Sequence, residues 1–251
     1  MTLTTAFRVY ARPLGTPFVQ AIVLVALAFV FMGAAFAERS AAAMPGEGEL
    51  TEHFRRMCRY HERMDGNVPD GAVLFIGDSI TQGLCVAAVC DRGVNYGIGS
   101  DTTAGVIERL PLYGSIARAK AVVLAIGVND LRRRDDAVIL ENLREIMTRM
   151  TADTSLVVSA VLPLDERVES VGPDRNKRIA NLNGQIAALC ADFERCVFVD
   201  ASSALLDTDG SLAAAYHVGD GVHPNTAGYD RWIRALRQGL IETRALDSDE
   251  E

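Results

Sequence analysis

The sequence has 251 residues, 49% hydrophobic and 23% charged, which is ordinary globular usage and enough for one α/β domain. The formal charge is −8, and because Arg8 and Arg12 are the only charged residues before Glu38, the remainder carries −10. Such an acidic domain repels nucleic acid and anionic membrane surfaces, so neither is expected as its main ligand. The basic triplet Arg132-Arg133-Arg134 is interpreted as a solvated loop or helix start, with an anion site as the alternative.

The first 37 residues have the features of an export segment. Arg8 and Arg12 precede an almost uninterrupted apolar run, residues 17–37, which ends in the small-x-small triplet Ala35-Phe36-Ala37. This order is typical of a secretory signal cleaved after Ala37. The run is also nearly long enough to span a bilayer, which takes about 20 residues, so a retained N-terminal anchor is the main alternative. A buried core helix is the third. Both export interpretations predict a periplasmic or secreted domain, and the anchor interpretation attaches it to the membrane through residues 17–37.

The organisation that follows is a signal peptide or membrane anchor at 1–37, a linker at 38–50 and a globular domain at 51–251. The linker assignment rests on the alanine, glycine and proline content between Ser40 and Gly48.

Cysteine spacing gives a second indication of compartment. Cys85 and Cys90 are close in sequence, as are Cys190 and Cys196, and Cys58 is left over. In an oxidising compartment the two local pairs would form disulfides, whereas five buried thiols are the alternative. No C-x-x-C motif or Cys/His cluster indicates a metal site.

Strand and helix patterns alternate along the chain. In chain order they predict a helix at 51–64, strands at 72–76, 93–97 and 121–126, a helix at 135–150, a strand at 155–162, a helix at 175–195, a strand at 196–200 and a helix at 225–244. Three of the strands are nearly continuous apolar runs, as parallel strands buried on both faces are. The alternation predicts βαβ units in a doubly wound sheet, which binds ligands beyond the carboxyl ends of its strands.

Polar motifs fall at those strand ends. The first strand runs into Gly77-Asp78-Ser79, where glycine permits a sharp exit and the serine is expected near a helix N-terminus. The third strand leads into Gly127-Val128-Asn129-Asp130, and Asp220-Gly221-Val222-His223-Pro224 precedes the last helix. Singly, these are a helix cap, a turn and a surface loop. Together they offer a nucleophile, an oxyanion donor and a base with its orienting carboxylate, which are the groups that acyl transfer requires.

In this combination the sequence resembles the SGNH, or GDSL-type, hydrolases. Gly77-Asp78-Ser79-Ile80 resembles the first block of that family, and Gly127-Val128-Asn129-Asp130 the third. Asp220-Gly221-Val222-His223-Pro224 resembles the fifth block, and the second is visible from Asn95 to Thr103. The resemblance implies a flavodoxin-like three-layer α/β/α fold with a five-stranded parallel sheet. It also implies an esterase acting on acyl esters of small molecules, lipids or glycans without a metal or organic cofactor.

The resemblance assigns roles to the motif residues. Ser79 is expected to be the nucleophile, His223 the base, and Asp220 the carboxylate that orients it. The oxyanion hole is expected to consist of the N–H groups of Ser79 and Ser100 and the side-chain amide of Asn129. Asp78 and Asp130 are interpreted as supports that brace these loops.

One position departs from the family pattern. Ser100 occupies the place where the family usually has the oxyanion-hole glycine, and Gly99 comes one residue earlier. A backbone donor survives this change if the required φ is negative, but not easily if φ is positive.

Several alternatives can be compared with the esterase. The classical G-x-S-x-G elbow is absent, and Thr102 breaks the dinucleotide pattern that begins at Gly97. An acyltransferase acting on cell-envelope glycans would use the same residues, and a non-catalytic glycan- or lipid-binding module would keep the fold alone. His217 is interpreted as a loop residue or a support for the site, whereas His53 and His61 offer no chemical argument.

Overall fold

A computed structural model describes residues 45–46, 48–150 and 154–246 of the chain. The predicted export segment and the first part of the predicted linker lie outside these residues. Within them, no helix combines the length and apolar character needed to cross a bilayer.

The centre of the fold is a parallel five-stranded sheet. Its strands are β1 (Val73–Gly77), β2 (Gly93–Gly97), β3 (Ala121–Ala125), β4 (Ser155–Ser159) and β5 (Cys196–Val199). Their order across the sheet is β2-β1-β3-β4-β5, and every pairing is parallel. This is the flavodoxin-like order, so the predicted fold class is confirmed.

The α-helices of the described residues are α1 (Glu52–Asp65), α2 (Ser79–Gln82), α3 (Thr103–Arg109), α4 (Asp136–Thr148), α5 (Arg175–Ala191) and α6 (Thr226–Glu242). The four long helices match the predicted ones. Side-chain caps fix several starts: Thr51 accepts from the N–H of Phe54 before α1, and Asn225 accepts from the N–H of Gly228 before α6. Helix α3 was not predicted, because seven residues are too few to show a helical period.

Helices cover both faces of the sheet. Because strand side chains alternate, Leu74 and Val122 contact one core, which α3, α4 and α5 complete. Val73 and Val123 contact the opposite core, to which α6 contributes Trp232 and other apolar residues. The result is three layers with the central strands buried on both sides, as their continuous apolar sequences predict.

Strand β4 is shorter than the predicted 155–162. The strand ends at Ser159, although the N–H of Ala160 still donates to the carbonyl of Val199 on β5 at 2.8 Å. The N–H and C=O of Val161 then bond to the side chain of Asn183 on α5, each at 2.9 Å. The amide side chain therefore replaces a strand partner for this buried backbone.

The strand order brings three of the predicted motifs to adjacent positions. Strand β1 lies between β2 and β3, and Gly77 is level with Gly97 on one side and Ala125 on the other. Ser79, Ser100 and Asn129 therefore follow the carboxyl ends of three neighbouring strands.

Candidate active site

Ser79 is the first residue of α2, two residues after the end of β1. The Asp78 carboxylate caps this short helix by accepting the N–H of Ile80 at 2.9 Å. A Cβ at Gly77 would lie 2.2 Å from the carbonyl oxygen of Ala125, so only glycine fits. Close approach of β3 is thus what requires glycine in this turn.

The loop that precedes α6 brings His223 and Asp220 to this serine. The Oγ of Ser79 and the Nε2 of His223 are 2.8 Å apart, although 144 residues separate them in sequence. On the other side of the ring, Nδ1 lies 2.6 Å from Oδ2 of Asp220. The side chains of His223 and Asp220 are 41% and 42% exposed, so this triad of Ser79, His223 and Asp220 is open to solvent.

The charge of Asp220 fixes the tautomer of the histidine. Burial opposes ionisation of this carboxyl, but the hydrogen bond from His223 and the N–H groups of Val222 and His223 outweigh it and lower its pKa to about 2. An ionised Asp220 accepts the proton on Nδ1, which leaves the lone pair of Nε2 facing the Ser79 hydroxyl. The arrangement can therefore remove a proton from Ser79.

Three hydrogen-bond donors lie on the segments that follow the neighbouring strands β1, β2 and β3. The backbone N–H groups of Ser79 and Ser100 donate to no acceptor within the described part of the chain. The side-chain amide of Asn129 donates one hydrogen to the carbonyl of Asp101 at 2.9 Å, and its second N–H is left for a ligand. These are the groups that a tetrahedral oxyanion would need.

Ser100 adopts the left-handed conformation, with a φ of +64°, and its side chain is exposed. Residues with a Cβ rarely adopt this conformation, so the departure from the family pattern falls where glycine would be unstrained. The preceding Gly99 donates its N–H to Oε1 of Gln82 at 2.5 Å, which ties this loop to the end of α2. The structure thus keeps the donor in place at the cost of local backbone strain.

Comparison with known proteins agrees with this geometry. The model of the GDSL-like lipase/acylhydrolase family matches residues 75–231, more than half of the chain and the whole of the site. The chain belongs to this family. The family is one of esterases and other acylhydrolases, so the protein is a hydrolase of that class.

Individual relatives and solved structures share the same region. The platelet-activating factor acetylhydrolase IB subunit alpha1 of Rattus norvegicus is 27% identical over 204 residues, covering 76% of this chain and 85% of the relative. A solved structure from Streptococcus pneumoniae, described as a putative platelet activating factor, has a TM-score of 0.67 and 26% identity, and the match covers 76% of this chain and 92% of the other. The acetyl-xylooligosaccharide esterase Axe2 of Geobacillus stearothermophilus has a TM-score of 0.56 and 20% identity, covering 68% and 95%; this likeness shows the fold alone.

Sequence reasoning missed one buried residue of this acylhydrolase, Arg109. Its Nε lies 2.8 Å from the Asp101 carboxylate, while Nη1 donates to the carbonyl of Tyr96 and Nη2 to that of Gly77. The guanidinium thus joins the last residue of β1 to the end of β2 and to Asp101, the residue after Ser100. The available signal was the charged pair Glu108-Arg109 within an otherwise mostly apolar stretch, with the arginine eight residues after Asp101.

Asn95, within the second block, also connects two segments: the one that follows Ser79 and the end of β2. Its amide nitrogen donates to the carbonyls of Thr81 and Leu84 at 2.7 and 3.0 Å, and its oxygen accepts the N–H of Gly97 at 2.8 Å. One side chain therefore replaces backbone partners for the segment that follows Ser79.

Asp130 braces the loop that follows β3, as the sequence predicted. It is fully buried and accepts from the Thr103 hydroxyl at 2.6 Å and from the Thr103 N–H at 3.0 Å. Burial raises its pKa to about 6, against the hydrogen bonds from Thr103 that lower it. Asn129 is therefore held from two sides. Its neighbour Asp130 is fixed by Thr103, and its own side-chain amide donates to the carbonyl of Asp101.

The interpretation of the arginine triplet is wrong for Arg134. Arg132 and Arg133 are exposed, but the side chain of Arg134 is 8% exposed and bonds both carboxylate oxygens of Glu49 at 2.8 Å. It also lies 3.4 Å from Asp130. Two buried carboxylates require a cation, which is why the third arginine turns inward. Glu49 lies in the segment predicted as linker. Through Arg134 it is connected to Asp130, the residue that braces the Asn129 loop.

Two further histidines, His217 and His61, are buried. His53 lies on α1 beside Gly99, with its Nε2 3.5 Å from the position that a Cβ on that glycine would take. His217 is buried beneath the loop of Asp220, in the supporting position that the sequence allowed for. His61 is buried and bonds Tyr113 through Nδ1 at 3.0 Å; burial, followed by the charge of Arg109, lowers its pKa to about 4.

One of the two predicted disulfides is confirmed. Cys190 and Cys196 are joined, linking the end of α5 to the start of β5. The prediction of a Cys85–Cys90 bond is wrong, because Cys85 is exposed whereas Cys90 points into the core. A short 3₁₀ helix, Val86–Ala88, separates the two and turns their side chains apart.

Proposed function

We propose that this protein is an exported serine esterase that hydrolyses acyl esters through an acyl-enzyme on Ser79. The observation that carries the proposal is the continuous hydrogen-bonded series from Ser79 through His223 to an ionised Asp220, with separations of 2.8 and 2.6 Å. A binding module has no need of this series, whereas a serine nucleophile does.

The proposed reaction has two steps of the same kind. His223 takes the hydroxyl proton as Ser79 Oγ bonds to the ester carbonyl carbon, and the carbonyl oxygen becomes negatively charged. The N–H groups of Ser79 and Ser100 and the amide of Asn129 donate to that oxygen. The bond to the alcohol oxygen then breaks, and the alcohol leaves with the proton from His223. Water attacks the acyl-enzyme in the same manner and releases the acid and free Ser79.

We place short acyl esters of lipid or glycan alcohols among the substrates. Two proteins similar to this chain are named for acetyl esters, the platelet-activating factor acetylhydrolase subunit and the acetyl-xylooligosaccharide esterase. The half-exposed His223 and Asp220 favour bulky alcohols, because the leaving group departs on the histidine side.

Two features support export. Residues 1–37 have the order of a signal peptide or membrane anchor, and the Cys190–Cys196 disulfide is of a kind that persists in oxidising compartments. Sequencing the N-terminus of the native protein tests this part. A start at Glu38 indicates a cleaved signal, Met1 in the membrane fraction indicates an anchor, and Met1 in a soluble cytoplasmic fraction refutes export.

Hydrolysis of 4-nitrophenyl acetate by the purified protein tests the reaction. Ser79→Ala is expected to lower kcat by about a million-fold, as loss of a triad serine does in a comparable protease. The matched control is Ser203→Ala, at an exposed serine that follows β5, three strands away from β1 in the sheet, and it is expected to leave kcat unchanged. A fluorophosphonate is expected to label Ser79 alone.

Products distinguish the proposal from its rivals. Release of free acid with water as acceptor supports the esterase, whereas transfer to an added sugar with little free acid would support the acyltransferase. A folded wild-type protein that is inert on all esters and thioesters, and unlabelled by fluorophosphonate, would contradict any enzymatic role.

A further inference from the structure

His217 lies at the start of the loop that carries Asp220 and His223, and it is only 7% exposed. Its Nδ1 accepts hydrogen bonds from the backbone N–H groups of Gly219 and Gly221, both at 3.0 Å. Its Nε2 lies 3.0 Å from Oδ2 of Asp165. Both ring nitrogens are therefore engaged.

These partners define one tautomer. A backbone N–H can only donate, so Nδ1 of His217 must carry a lone pair and the ring proton must be on Nε2. That proton points at Asp165, whose pKa is held below its ordinary value chiefly by the hydrogen bonds from Arg167. His217 is consequently a neutral imidazole that accepts on one side and donates on the other. With its lone pair already occupied, it is not a second base.

The two bonds to Nδ1 fasten the backbone on either side of Asp220. Gly219 and Gly221 have φ values of +105° and +77°, which glycine alone adopts without strain and which the unfolded chain readily leaves. The carbonyl of Gly221 also accepts the N–H of Asp165 at 2.9 Å. At the far end, the N–H of Val218 donates to the carbonyl of His223 at 3.0 Å and closes the loop.

We propose that His217 is a positioning residue, whose neutral ring holds Gly219 and Gly221 so that the carboxylate of Asp220 lies against Nδ1 of His223. The inference rests on the proposed esterase function and assigns His217 no contact with substrate. Misplacing the loop would cost turnover, because a catalytic group displaced by about 1 Å can lose about a hundredfold in rate. It would cost little substrate binding, since His217 lies beneath the loop.

Two substitutions separate the two sides of the ring. In His217→Asn the side-chain oxygen takes the place of Nδ1 and accepts both backbone hydrogen bonds, while the contact with Asp165 is lost. In His217→Gln the amide nitrogen reaches Asp165, but the N–H groups of Gly219 and Gly221 lose their acceptor. We expect His217→Gln to lower kcat by about ten- to a hundredfold with little change in KM, and His217→Asn to retain most of kcat. Equal effects of the two substitutions, or no effect of either, would overturn the proposal.

A double substitution tests whether His217 acts through Asp220. If it does, His217→Gln is expected to cost nothing further in kcat once Asp220→Asn is present, because groups that act as a unit are not additive. A full additional loss in the double variant would show that His217 acts elsewhere, for example on folding.

The tautomer gives a readout that needs neither substitution nor activity. Nitrogen-15 spectra of the wild-type imidazoles are expected to show one ring protonated at Nε2 with two backbone N–H groups coupled to its Nδ1. A ring proton on Nδ1 would refute the arrangement even in an active esterase. Conversely, the expected spectrum in a protein without esterase activity would refute the proposed function and leave the loop geometry intact.

Discussion

Arg109 and Asp101 form an ion pair with an Nε to Oδ2 distance of 2.8 Å, and their side chains are 0% and 1% exposed. Burial raises the pKa of Asp101, and the charge and hydrogen bond of Arg109 act against this. Arg109 also donates to the carbonyls of Tyr96 and Gly77, so the ion pair stabilises the strand ends from which the Ser79 and Ser100 loops begin.

Removing the cation alone is expected to be costly. Arg109→Met should lower the free energy of unfolding by about 3 to 5 kcal/mol, because it leaves the buried Asp101 carboxylate without its cation, although the N–H of Thr102 still donates to it at 2.9 Å. Arg109→Met combined with Asp101→Asn should recover part of that loss. Urea unfolding followed by circular dichroism measures both. If the double variant is less stable than Arg109→Met alone, the unpaired charge is not the cause.

Because the backbone of Ser100 is in the left-handed conformation, we expect a substitution by glycine to stabilise the protein. Ser100→Gly should relieve backbone strain of about 1 to 2 kcal/mol and lose part of that gain to the entropy of glycine, for a net stabilisation of up to about 1 kcal/mol. Because only the N–H is proposed to act, kcat should be largely retained. Ser100→Val is the matched control and should lose both stability and kcat, since a β-branched residue resists this conformation. Loss of activity in a well-folded Ser100→Gly would mean that the hydroxyl has a role of its own.

Asn129 should respond quite differently. Asn129→Ala deletes a side-chain donor aimed at charge that develops in the transition state, so kcat is expected to fall by about 10² to 10³ with a smaller change in KM. Steady-state kinetics on one ester measures the effect. Asn181→Ala, at an exposed position of α5, is the control for substitution of an asparagine. A near-wild-type kcat for Asn129→Ala would remove this amide from the oxyanion hole.

The residues whose roles depend on strand ends could be predicted from the sequence. Strand runs such as Val73–Gly77 are buried on both faces and therefore apolar throughout, which makes them easy to locate. Once the strands were placed, Ser79 and Asn129 had to share one edge of the sheet. The pairing of Asp220 with His223 also needed only their spacing of three residues.

Other features of the site and fold could not be predicted, because they depend on tertiary packing that no local sequence pattern indicates. The sign of φ at Ser100 follows from the path of its loop, and it decides what the change from glycine costs. Arg134 resembled its exposed neighbours in sequence, but its partner Glu49 lies 85 residues away. Cys85 and Cys90 had a spacing compatible with a bond, yet a turn of 3₁₀ helix directs one outward and one inward.

Asp78 predicts a dependence of stability on pH. Burial, followed by the charges of Asp101 and Asp130, raises its pKa from 3.8 to about 7, against the N–H of Ile80. The folded state therefore binds a proton that the unfolded state releases. Proton binding by Asp78 therefore adds to the free energy of unfolding. The added stability is fully present below about pH 3.8 and is lost as the pH rises through about 7. At 1.36 kcal/mol per pKa unit, the difference is roughly 4 kcal/mol.

Asp78→Asn keeps an oxygen for the N–H of Ile80 and removes the charge. The variant is expected to be more stable than the wild type at pH 8 and to match it more closely at pH 4. Its free energy of unfolding should not show the decrease that the wild type shows between these two pH values. Urea unfolding across the pH range measures this, with Asp192→Asn, an exposed partner of Arg144, as the control. Parallel pH curves for Asp78→Asn and the wild type would show that Asp78 stays ionised in the folded protein.

The five cysteines are expected to differ in reactivity. In native, unreduced protein, iodoacetamide should modify the exposed Cys85 and spare Cys58 and Cys90, which are buried. Burial also raises the pKa of Cys58 to about 11, which keeps its thiol protonated. Cys190 and Cys196 should react only after reduction.

Loss of the Cys190–Cys196 bond should destabilise the edge of the sheet. The bond closes a loop of sequence separation 6, for which chain entropy gives a stabilisation of about 2 kcal/mol. Replacing both residues by serine should lower the free energy of unfolding by about that amount, whereas Cys85→Ser should leave it unchanged. Because the disulfide joins α5 to β5, remote in the sheet from β1, kcat should survive in both variants. Alkylation of Cys190 or Cys196 in unreduced native protein would show that the bond does not form, and would remove one of the two arguments for export.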